Sequence, residues 1–235
     1  MRLVRSGERG PLWIAAHEQT AGRGRRGRDW ISAKGNLAAS LLVSVPLTPP
    51  EAAKLGFVGG LALCHALHEC APHTRIALKW PNDVLANDAK LAGILLESET
   101  IDSGLAVVIG FGVNLAHAPV GMDFPATSLA DAGCHVTGEA VFARLTDAWV
   151  GYDSIWNRGA GFDEIRRLWL ARAHGVDAPI SVQMGDRVER GMFETLDGDG
   201  RLILRRGDGE ALAISAGDVY FGDAASVRAA AGAGC

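Results

Sequence analysis

The sequence predicts an α+β protein in which a larger domain of strands and helices is followed by a small domain made only of strands. Two observations support this class. Residues 11–173 combine apolar runs of strand length with long helical patterns, whereas residues 179–221 hold only short apolar runs separated by Gly and Asp turn residues. We therefore expect a domain at residues 1–177, a small β-barrel at 178–222 and a frayed, Ala- and Gly-rich tail at 223–235.

The first half of the larger domain is predicted from short apolar runs and one long helical pattern. Residues 11–17 read as a buried strand, and the polar stretch 18–36 reads as a surface loop. Residues 37–45 form a second apolar run, which ends at Pro46. Residues 51–70 are apolar on almost every side of a helix, so this helix is expected at the centre of the domain.

The second half of the larger domain is predicted to contain a hairpin and two further helices. Asn87 and Asp88, which tolerate positive φ, are expected at the hairpin turn. The first of the two helices should bury Val141, Leu145, Trp149 and Ile155. The predicted strands are 75–78, 84–86, 90–97 and 105–113, and the predicted helices are 138–156 and 162–173.

Short strands at regular spacing predict the small barrel. Its turns are predicted at Gly185-Asp186, at residues 197–200 and at residues 207–209, which are rich in Gly and Asp. The predicted strands of this domain are 180–184, 187–194, 201–204, 211–214 and 218–221.

Composition excludes several classes of protein. The 235 residues carry a net charge of −4, which argues against a protein whose main role is to coat DNA or RNA. No apolar run reaches the roughly 18–20 residues that span a bilayer, and residues 1–10 lack the apolar core of a secretory signal. The four cysteines form no C-x-x-C pair, which indicates neither a disulfide framework nor a zinc site. We expect a cytoplasmic protein with no DNA and no membrane partner.

An arginine-glycine loop at residues 22–28 is the most unusual stretch of the sequence. Gly22, Gly24 and Gly27 match the spacing G-x-G-x-x-G, but no helical pattern follows, so we reject a dinucleotide fold. Guanidinium groups and glycine amides can together bind a triphosphate or an adenylate. A solvated basic loop, or one that contacts nucleic acid, remains open on composition alone. The sequence contains no P-loop.

The second motif, Lys79–Val84, contains a Trp-Pro pair. Proline extends the residue before it, which directs Trp80, Asn82 and Asp83 towards one place. An aromatic wall with short polar groups suits a small apolar ring that has amide-like edges. A purely structural Trp-Pro corner is the alternative.

Two further motifs place a lysine and an asparagine on apolar strands. Lys90 opens a strand in which Gly93 permits close approach of another group, and its charge could neutralise a carboxylate and a phosphate together. Asn114 ends the next strand and could pair with an adenine edge. The alternatives are a lysine that extends to solvent and an asparagine that caps a turn.

Together, and in this order, the four motifs resemble the biotin–protein ligases. The family's arginine-glycine loop is found at residues 19–28, its K-W-P-N-D at 79–83, its K-L-A-G-I-L at 90–95 and its G-x-G-x-N at 110–114. The resemblance covers about residues 11–222. It implies a mixed-sheet, class II synthetase-like catalytic domain followed by an SH3-like β-barrel.

The resemblance also implies roles for individual residues. It leaves the metal ligands unassigned. The implied catalytic residues are Lys90 and Arg25; the implied biotin-binding residues are Gln19, Arg23, Gly24, Arg25, Trp80, Lys90 and Gly93; the implied nucleotide-binding residues are Arg23, Arg25, Arg28, Trp30, Asn82 and Asn114.

The reaction implied by the resemblance joins two anions. Biotin attacks the α-phosphorus of ATP to give biotinyl-5′-AMP, and a lysine of a biotin carboxyl carrier protein of an acyl-CoA carboxylase then displaces AMP. Lys90, Arg23 and Arg25 can supply the positive charge, with Mg²⁺ bridging the triphosphate. The arginine-glycine loop should close over the adenylate and keep water out. A homodimer is compatible with the resemblance.

The sequence departs from the family pattern at its beginning. The N-terminal winged-helix domain of repressor relatives has no room before residue 11, so we expect no repressor function. A D-S-x-x-S-T-N-type segment, which contacts biotin in the family, is missing upstream of the arginine-glycine loop. Residues 1–5 resemble the end of the helix that follows that segment. We therefore hypothesise that Met1 is internal to a longer native chain; a chain that truly begins there would have weak activity or none.

Three other functions are compatible with parts of the sequence. A lipoate–protein ligase would share the adenylate chemistry, and pyrophosphate exchange with lipoate but not biotin would identify it. A nucleic-acid-binding module would show binding that depends steeply on salt. A truncated, inactive relative would show no thermal shift with biotin and ATP.

Overall fold

Six strands form one antiparallel sheet, which is the frame of the molecule. The computed structural model describes residues 1–122 and 124–221. The strands of this sheet are β1 (Leu12–Ala16), β4 (Leu37–Val45), β5 (Ile76–Lys79), β6 (Asp83–Ala86), β7 (Ala89–Ile101) and β8 (Gly104–Val113). Their order is β1-β4-β8-β7-β6-β5, and every pair is antiparallel. Within the described ranges, parallel pairing outside the named strands is limited to the isolated bridges Leu78–Ala173 and Lys90–Ala126.

Strand β8 gives the sheet two different faces. Side chains alternate along a strand, so Ile109 and Phe111 point to one side and Gly110 and Gly112 fall on the other. Ile109 and Phe111 pack on Gly59 of a helix, where an added Cβ would lie 3.2 Å from Phe111 and 3.4 Å from Ile109. Helices therefore cover one face of the sheet. On the other face, the glycines of β8 contribute no side chains.

Helices cover the closed face, with the predicted central helix in the middle. They are α2 (Pro49–Ala53), α3 (Leu55–Cys70), α4 (Gly138–Trp156) and α5 (Phe162–Leu170), whereas the short α1 (Arg2–Arg5) lies on the other face, where Val4 packs with Leu42 and Ala106. The predicted helix at 51–70 is divided at Lys54 into α2 and α3, and Thr48 and Glu51 form a capping box at its start. Helix α3 packs against α4, α5 and the sheet. Among the described residues, no helix is both long and apolar enough to cross a bilayer.

Two predictions about burial are wrong. Residues 11–17 contain β1, but β1 is an edge strand, and its Ile14 is 45% exposed. In α4, Ile155 is 39% exposed, and Tyr152 and Trp156 are buried instead. Positions 149, 152 and 156 are spaced three and four residues apart and therefore share the face of the helix that meets the core. Position 155 lies off that face.

The polar stretch 18–36 is not a simple surface loop, which corrects the prediction. It contains a hairpin of β2 (Gln19–Arg23) and β3 (Asp29–Ser32), joined by a short 3₁₀ turn at Arg25–Gly27. The turn is possible because Arg26 and Gly27 adopt positive φ of 58° and 73°. Its strands carry few apolar residues, so the sequence shows no alternation that would reveal them.

The chain ends, within the described residues, in a second antiparallel sheet. Its strands are β9 (Pro179–Met184), β10 (Arg187–Leu196), β11 (Leu202–Arg205), β12 (Ala211–Ile214) and β13 (Asp218–Phe221). All five contribute buried side chains to one core. The order is β12-β11-β10-β9-β13, and in residues 1–122 and 124–221 no pairing joins the end strands β12 and β13. The predicted small β domain is confirmed as a five-stranded sheet; the predicted tail at 223–235 lies outside the described residues.

Specific hydrogen bonds fix the small sheet to the large one. The indole nitrogen of Trp80 donates to the Gly200 carbonyl at 3.1 Å, and Lys54 Nζ donates to the Gly198 carbonyl at 3.0 Å. Gly200 has a φ of +77° and lies against the Phe57 ring. The turn between β10 and β11 is thereby held against α3 and the K-W-P-N-D loop.

Asn36 organises the segment that follows β8, and we expect its loss to destabilise the fold. Its side chain is 6% exposed, and Oδ1 accepts hydrogen bonds from the amides of Leu115, Ala116 and His117 at 3.0, 3.0 and 3.1 Å. Nδ2 donates to the His117 carbonyl at 2.8 Å. Asn36→Ala removes the acceptor of three amides, so it should lower the free energy of unfolding by about 3 kcal/mol.

Urea unfolding followed by circular dichroism would measure this loss. Asn36→Asp keeps an oxygen acceptor for the three amides and should lose less than half as much stability. An alanine variant as stable as the parent protein would contradict the role given to Asn36.

Candidate active site

A cavity of about 690 Å³ lies between the glycine face of the large sheet, the β2–β3 hairpin and β13. Every residue that the sequence predicted for the site lines it. These residues are Gln19, Arg23, Gly24, Arg25, Arg28, Trp30, Trp80, Asn82, Lys90, Gly93 and Asn114. Four motifs that are distant in the chain therefore meet at one place, and the individual roles of these residues stay predictions.

Two glycines form the floor of the cavity. Gly93 on β7 is paired with Gly112 on β8, and the Trp30 indole lies across both. A Cβ at Gly93 would be 3.3 Å from the indole, and a Cβ at Gly112 would be 2.3 Å from it, which is closer than atoms can approach. The K-L-A-G-I-L and G-x-G-x-N motifs thus supply a cross-strand glycine pair on which the hairpin rests.

Lys90 stands beside this floor in a partly buried ion pair. Its Nζ lies 2.7 Å from Asp83 Oδ1, and the two side chains are 20% and 16% exposed. The same nitrogen lies 5.8 Å from the centre of the Trp30 ring and 5.1 Å from that of Phe124. Reduced contact with water strengthens the interaction of Lys90 with any anion that enters. The pairing with Asp83 was not predicted, although both residues lie in the motifs.

Arg25 enters the cavity from the hairpin turn. Its guanidinium donates to Asn82 Oδ1 at 3.0 Å, and Asn82 Nδ2 donates in turn to the Ile94 carbonyl at 2.7 Å. Burial lowers the pKa of the Arg25 guanidinium, and the nearby carboxylate of Asp218 opposes that shift. The group stays positively charged, since arginine does not lose its proton in proteins. Asn82 therefore holds a cation of the loop against β7.

Asp218 is a site residue that sequence reasoning missed. It begins β13 in the small sheet, and its carboxylate pairs with Arg26 at 3.1 Å and with Arg28. Arg25 lies 4.0 Å from the same carboxylate. The only signal in the sequence was that an acidic residue opens the last predicted strand, and that signal carries no information about its partner.

Lys79 was also missed, although it opens the K-W-P-N-D motif. Its ammonium lies 5.9 Å from the centre of the Tyr220 ring and 5.6 Å from that of Phe221, both on β13. Burial lowers the pKa of Lys79, and the carboxylates of Asp83 and Asp218 partly offset that effect. A third partly buried cation, after Lys90 and Arg25, therefore lines the cavity beside β13.

Asn114 is a lining residue of the cavity with an unused acceptor. The residue is 1% exposed, and its Nδ2 donates to the Thr127 carbonyl at 3.2 Å. Its Oδ1 is buried with no hydrogen-bond partner among the described residues. Buried polar atoms without partners are uncommon, and an exocyclic amine such as that of adenine would satisfy this one.

Trp80 is buried in the wall of the cavity, whereas Arg23 is largely exposed. Trp80 is 2% exposed and is engaged with Gly200, so it supports the wall mostly from behind. Arg23 has a side chain that is 68% exposed and pairs with Glu97 at 3.1 Å near the cavity rim. Gln19 lies at the open end of the hairpin, where its side-chain oxygen approaches Gly22.

The cavity lining carries more positive than negative groups. Five cations line it (Arg23, Arg25, Arg28, Lys79 and Lys90) against four carboxylates (Asp29, Asp83, Glu97 and Asp218). Several of these form internal ion pairs, so entering anions compete with carboxylates that are already present. The described part of the chain contains no group of three His, Cys, Asp or Glu residues that could hold a metal ion.

Comparison with known proteins defines the class. The family described as biotin/lipoate A/B protein ligase matches residues 5–114, which hold the hairpin and the four motifs. The family described as biotin protein ligase C terminal domain matches residues 177–222, which hold the small sheet. The fold and the cavity are thus those of a protein ligase of the biotin and lipoate type.

Individual relatives narrow this class. A biotin–[acetyl-CoA-carboxylase] ligase of Paracoccus denitrificans is 42% identical over 221 residues, covering 91% of this chain and 91% of its own length. The chain therefore belongs to the biotin–[acetyl-CoA-carboxylase] ligase family, and the resemblance seen in its motifs is confirmed.

Solved structures agree with this family. The biotin protein ligase of Aquifex aeolicus in complex with biotin and ATP has a TM-score of 0.74 and 25% identity, covering 88% of this chain and 87% of that one. The biotin protein ligase of Leishmania major in complex with biotinyl-5′-AMP has a TM-score of 0.60 and 26% identity, covering 92% of each chain.

Proposed function

We propose that this protein uses ATP to convert biotin into biotinyl-5′-AMP and transfers the biotinyl group to a lysine of a biotin carboxyl carrier protein. The single observation that carries the proposal is the meeting of Lys90 and Arg25 above a floor of paired glycines. The relatives named for biotin and acetyl-CoA carboxylase support the choice of substrates.

The first step joins two anions that repel one another. A carboxylate oxygen of biotin forms a bond to the α-phosphorus of ATP, and the bond to pyrophosphate breaks. Negative charge develops on the phosphoryl oxygens, so cations fixed in a partly dry cavity lower the barrier. Lys90, at the end of β7, and Arg25, held by Asn82, are the two groups positioned to supply that charge.

The second step needs no nucleophile from the enzyme. The amine of the acceptor lysine forms an amide bond with the activated carbonyl carbon, and the bond to the AMP oxygen breaks. The amine proton leaves with the departing group or to water. The role of the protein is to hold the adenylate and to restrict water, which would otherwise hydrolyse it.

The remaining site residues are proposed to divide the ligand between two ends. Gln19, Trp80 and Gly93 would lie towards the biotin ring, and Arg23 and Gly24 towards its carboxylate. Arg28, Trp30 and Asn82 would lie towards the nucleotide. The buried acceptor Oδ1 of Asn114 would receive the exocyclic amine of adenine.

Mg²⁺ is proposed to arrive with the triphosphate of ATP. Magnesium in such enzymes keeps several waters and relies on substrate phosphates for much of its coordination. This agrees with the engagement of Asp83 and Asp218 with cations and with the lack of a three-residue ligand group in the described residues. No step of the mechanism is assigned to a protein-bound metal.

The domain assignment follows the same proposal. Residues 1–177 would form the catalytic domain, and residues 178–222 a domain that supports the cavity through β13. A cytoplasmic location, the lack of a DNA partner and a homodimer stay predictions.

Biotin-dependent exchange of labelled pyrophosphate into ATP tests the proposal. We expect exchange with biotin to exceed exchange with lipoate by at least about 100-fold, because a site that hydrogen-bonds the polar edge of one ring system rejects an analogue that lacks it. Transfer to a purified carrier domain, detected as a mass increase on one lysine, would show the second step. Exchange that responds to lipoate and not to biotin would replace this function with lipoate ligation.

A further inference from the structure

A cluster of ion pairs joins the arginine-glycine loop to the small sheet. It consists of Asp218, Arg26 and Arg28, and we call it the Asp218 cluster. Arg26 lies 3.1 Å from Asp218 Oδ2, and Arg28 bonds to the same oxygen. The carboxylate side chain is 21% exposed, and the side chains of Arg26 and Arg28 are 40% and 55% exposed, so the pairs are shielded from water only on the carboxylate side. Asp218 is 192 positions from Arg26 and 190 from Arg28 in the chain, so the contact joins two distant segments.

The cluster separates the arginines of the loop into two groups. The guanidinium of Arg25 is 3.0 Å from Asn82 Oδ1 and 4.0 Å from Asp218, so its close partner is a neutral amide. Arg26 and Arg28 take their close contacts from Asp218 instead. Arg25 is thereby left with a weaker ionic partner than Arg26 and Arg28, whose guanidinium groups are fixed by Asp218.

Asp218 itself is rigidly supported. It lies opposite Gln183 in the pairing of β13 with β9. The preceding Gly217 is packed so closely that an added Cβ would lie 2.5 Å from Val182, and its carbonyl approaches Arg25 at 3.5 Å. Within the loop itself, the turn is closed by two backbone hydrogen bonds, Gly24 N–H to the Arg28 carbonyl at 2.7 Å and Arg28 N–H to the Arg25 carbonyl at 3.3 Å.

We propose that Asp218 is a positioning residue of the active site: it binds Arg26 and Arg28 so that the turn holds Arg25 towards the reacting phosphate. The proposal rests on the proposed function, since it assigns a purpose to the direction of Arg25. It gives the small sheet a direct part in adenylate formation, although Asp218 need not touch a substrate.

The expected consequence is a lower kcat/KM for ATP, because Arg25 would act both on the bound triphosphate and on the charge that develops at the phosphorus. Without Asp218 the turn depends on its two backbone hydrogen bonds and on the Arg25–Asn82 contact. Asp218→Asn should lower kcat/KM for ATP about tenfold, as expected for the loss of two charge-assisted contacts. Biotinyl-5′-AMP should also escape faster, because the turn covers it less often.

The first test does not depend on catalysis. Amide hydrogen–deuterium exchange, measured by mass spectrometry without substrates, should be about tenfold faster at Gly24 and Arg28 in Asp218→Asn than in the parent protein. Glu189→Gln is the matched control, since it removes an ion pair of the same sheet, to Arg206 at 2.8 Å, away from the loop. Unchanged exchange in Asp218→Asn would overturn the proposal.

The second test uses steady-state kinetics of pyrophosphate exchange. Asp218→Glu should recover most of the kcat/KM for ATP, and the effects of Asp218→Asn and Arg26→Gln should be strongly non-additive, because both break the same contact. An unchanged kcat/KM for ATP, or additive effects, would contradict a positioning role. If the parent protein shows no biotin-dependent exchange, the proposed function fails, and the hydrogen–deuterium result still decides whether Asp218 fixes the turn.

Discussion

Replacing Lys90 with glutamine is expected to lower kcat/KM for biotinyl-5′-AMP formation by about 1,000-fold. Lys90 is the cation placed at the end of β7 beside the glycine floor, only 20% exposed and bounded by the rings of Trp30 and Phe124. A fixed charge in such a site stabilises developing phosphoryl charge far more than a charge in water does. Loss of one such group typically lowers kcat by about 10²- to 10³-fold. Exchange of pyrophosphate into ATP measures the effect.

The loss of the Lys90–Asp83 ion pair must be distinguished from the loss of the positive charge that acts on the substrates. Lys90→Gln leaves the carboxylate of Asp83, 16% exposed, without its cation, and the fold should lose stability for that reason alone. The double variant Lys90→Gln/Asp83→Asn pairs two neutral amides and should regain the thermal stability of the parent protein. Its exchange activity should stay as low as that of the single variant. Recovery of activity together with stability would show that Lys90 acts only as a structural partner.

Replacing Gly112 with alanine is expected to lower kcat/KM by about 100-fold while the sheet stays folded. The added Cβ would lie 2.3 Å from the Trp30 indole, so the ring and the hairpin that carries it must move away. A displacement of about 1 Å at a group that orients a substrate is enough for a loss of this size. Kinetics with ATP and biotin, together with the melting temperature, measure the two effects separately.

Gly56→Ala provides the matched control for the added methyl. It lies in α3, where the new Cβ would meet only Leu96, at 3.4 Å, and it should leave activity near that of the parent protein. In Gly112→Ala, the further change Trp30→Phe should recover part of the lost activity, since a smaller ring leaves room for the methyl. Full activity in Gly112→Ala would mean that the hairpin does not need its place on the floor.

The four motifs predicted the site because each one contains the residue types that its local geometry requires. Gly93 was expected to permit a close approach, and the structure shows that the approaching group is Trp30, on β3 of the hairpin. Asn87 and Asp88 were expected at a turn with positive φ, and they adopt φ of 48° and 70°. Such local requirements on the backbone are visible in a sequence because few residue types meet them.

The features that the sequence did not reveal all depend on distant partners. Asp218 meets Arg26 and Arg28 only after the small sheet has docked, and nothing in its own neighbourhood indicates them. The β2–β3 hairpin was taken for a loop because its strands are polar, and its position is set by the contact of Trp30 with Gly112. Local propensity does not encode a contact of this kind, which is decided by tertiary packing.

One cationic cavity is proposed to bring biotin and the α-phosphate of ATP together. The most direct measurement is a crystal structure of the protein with biotinyl-5′-AMP. We expect the phosphate within hydrogen-bond distance of Lys90 Nζ and the Arg25 guanidinium, with the adenine amine at Asn114 Oδ1. A phosphate bound away from both cations would contradict it.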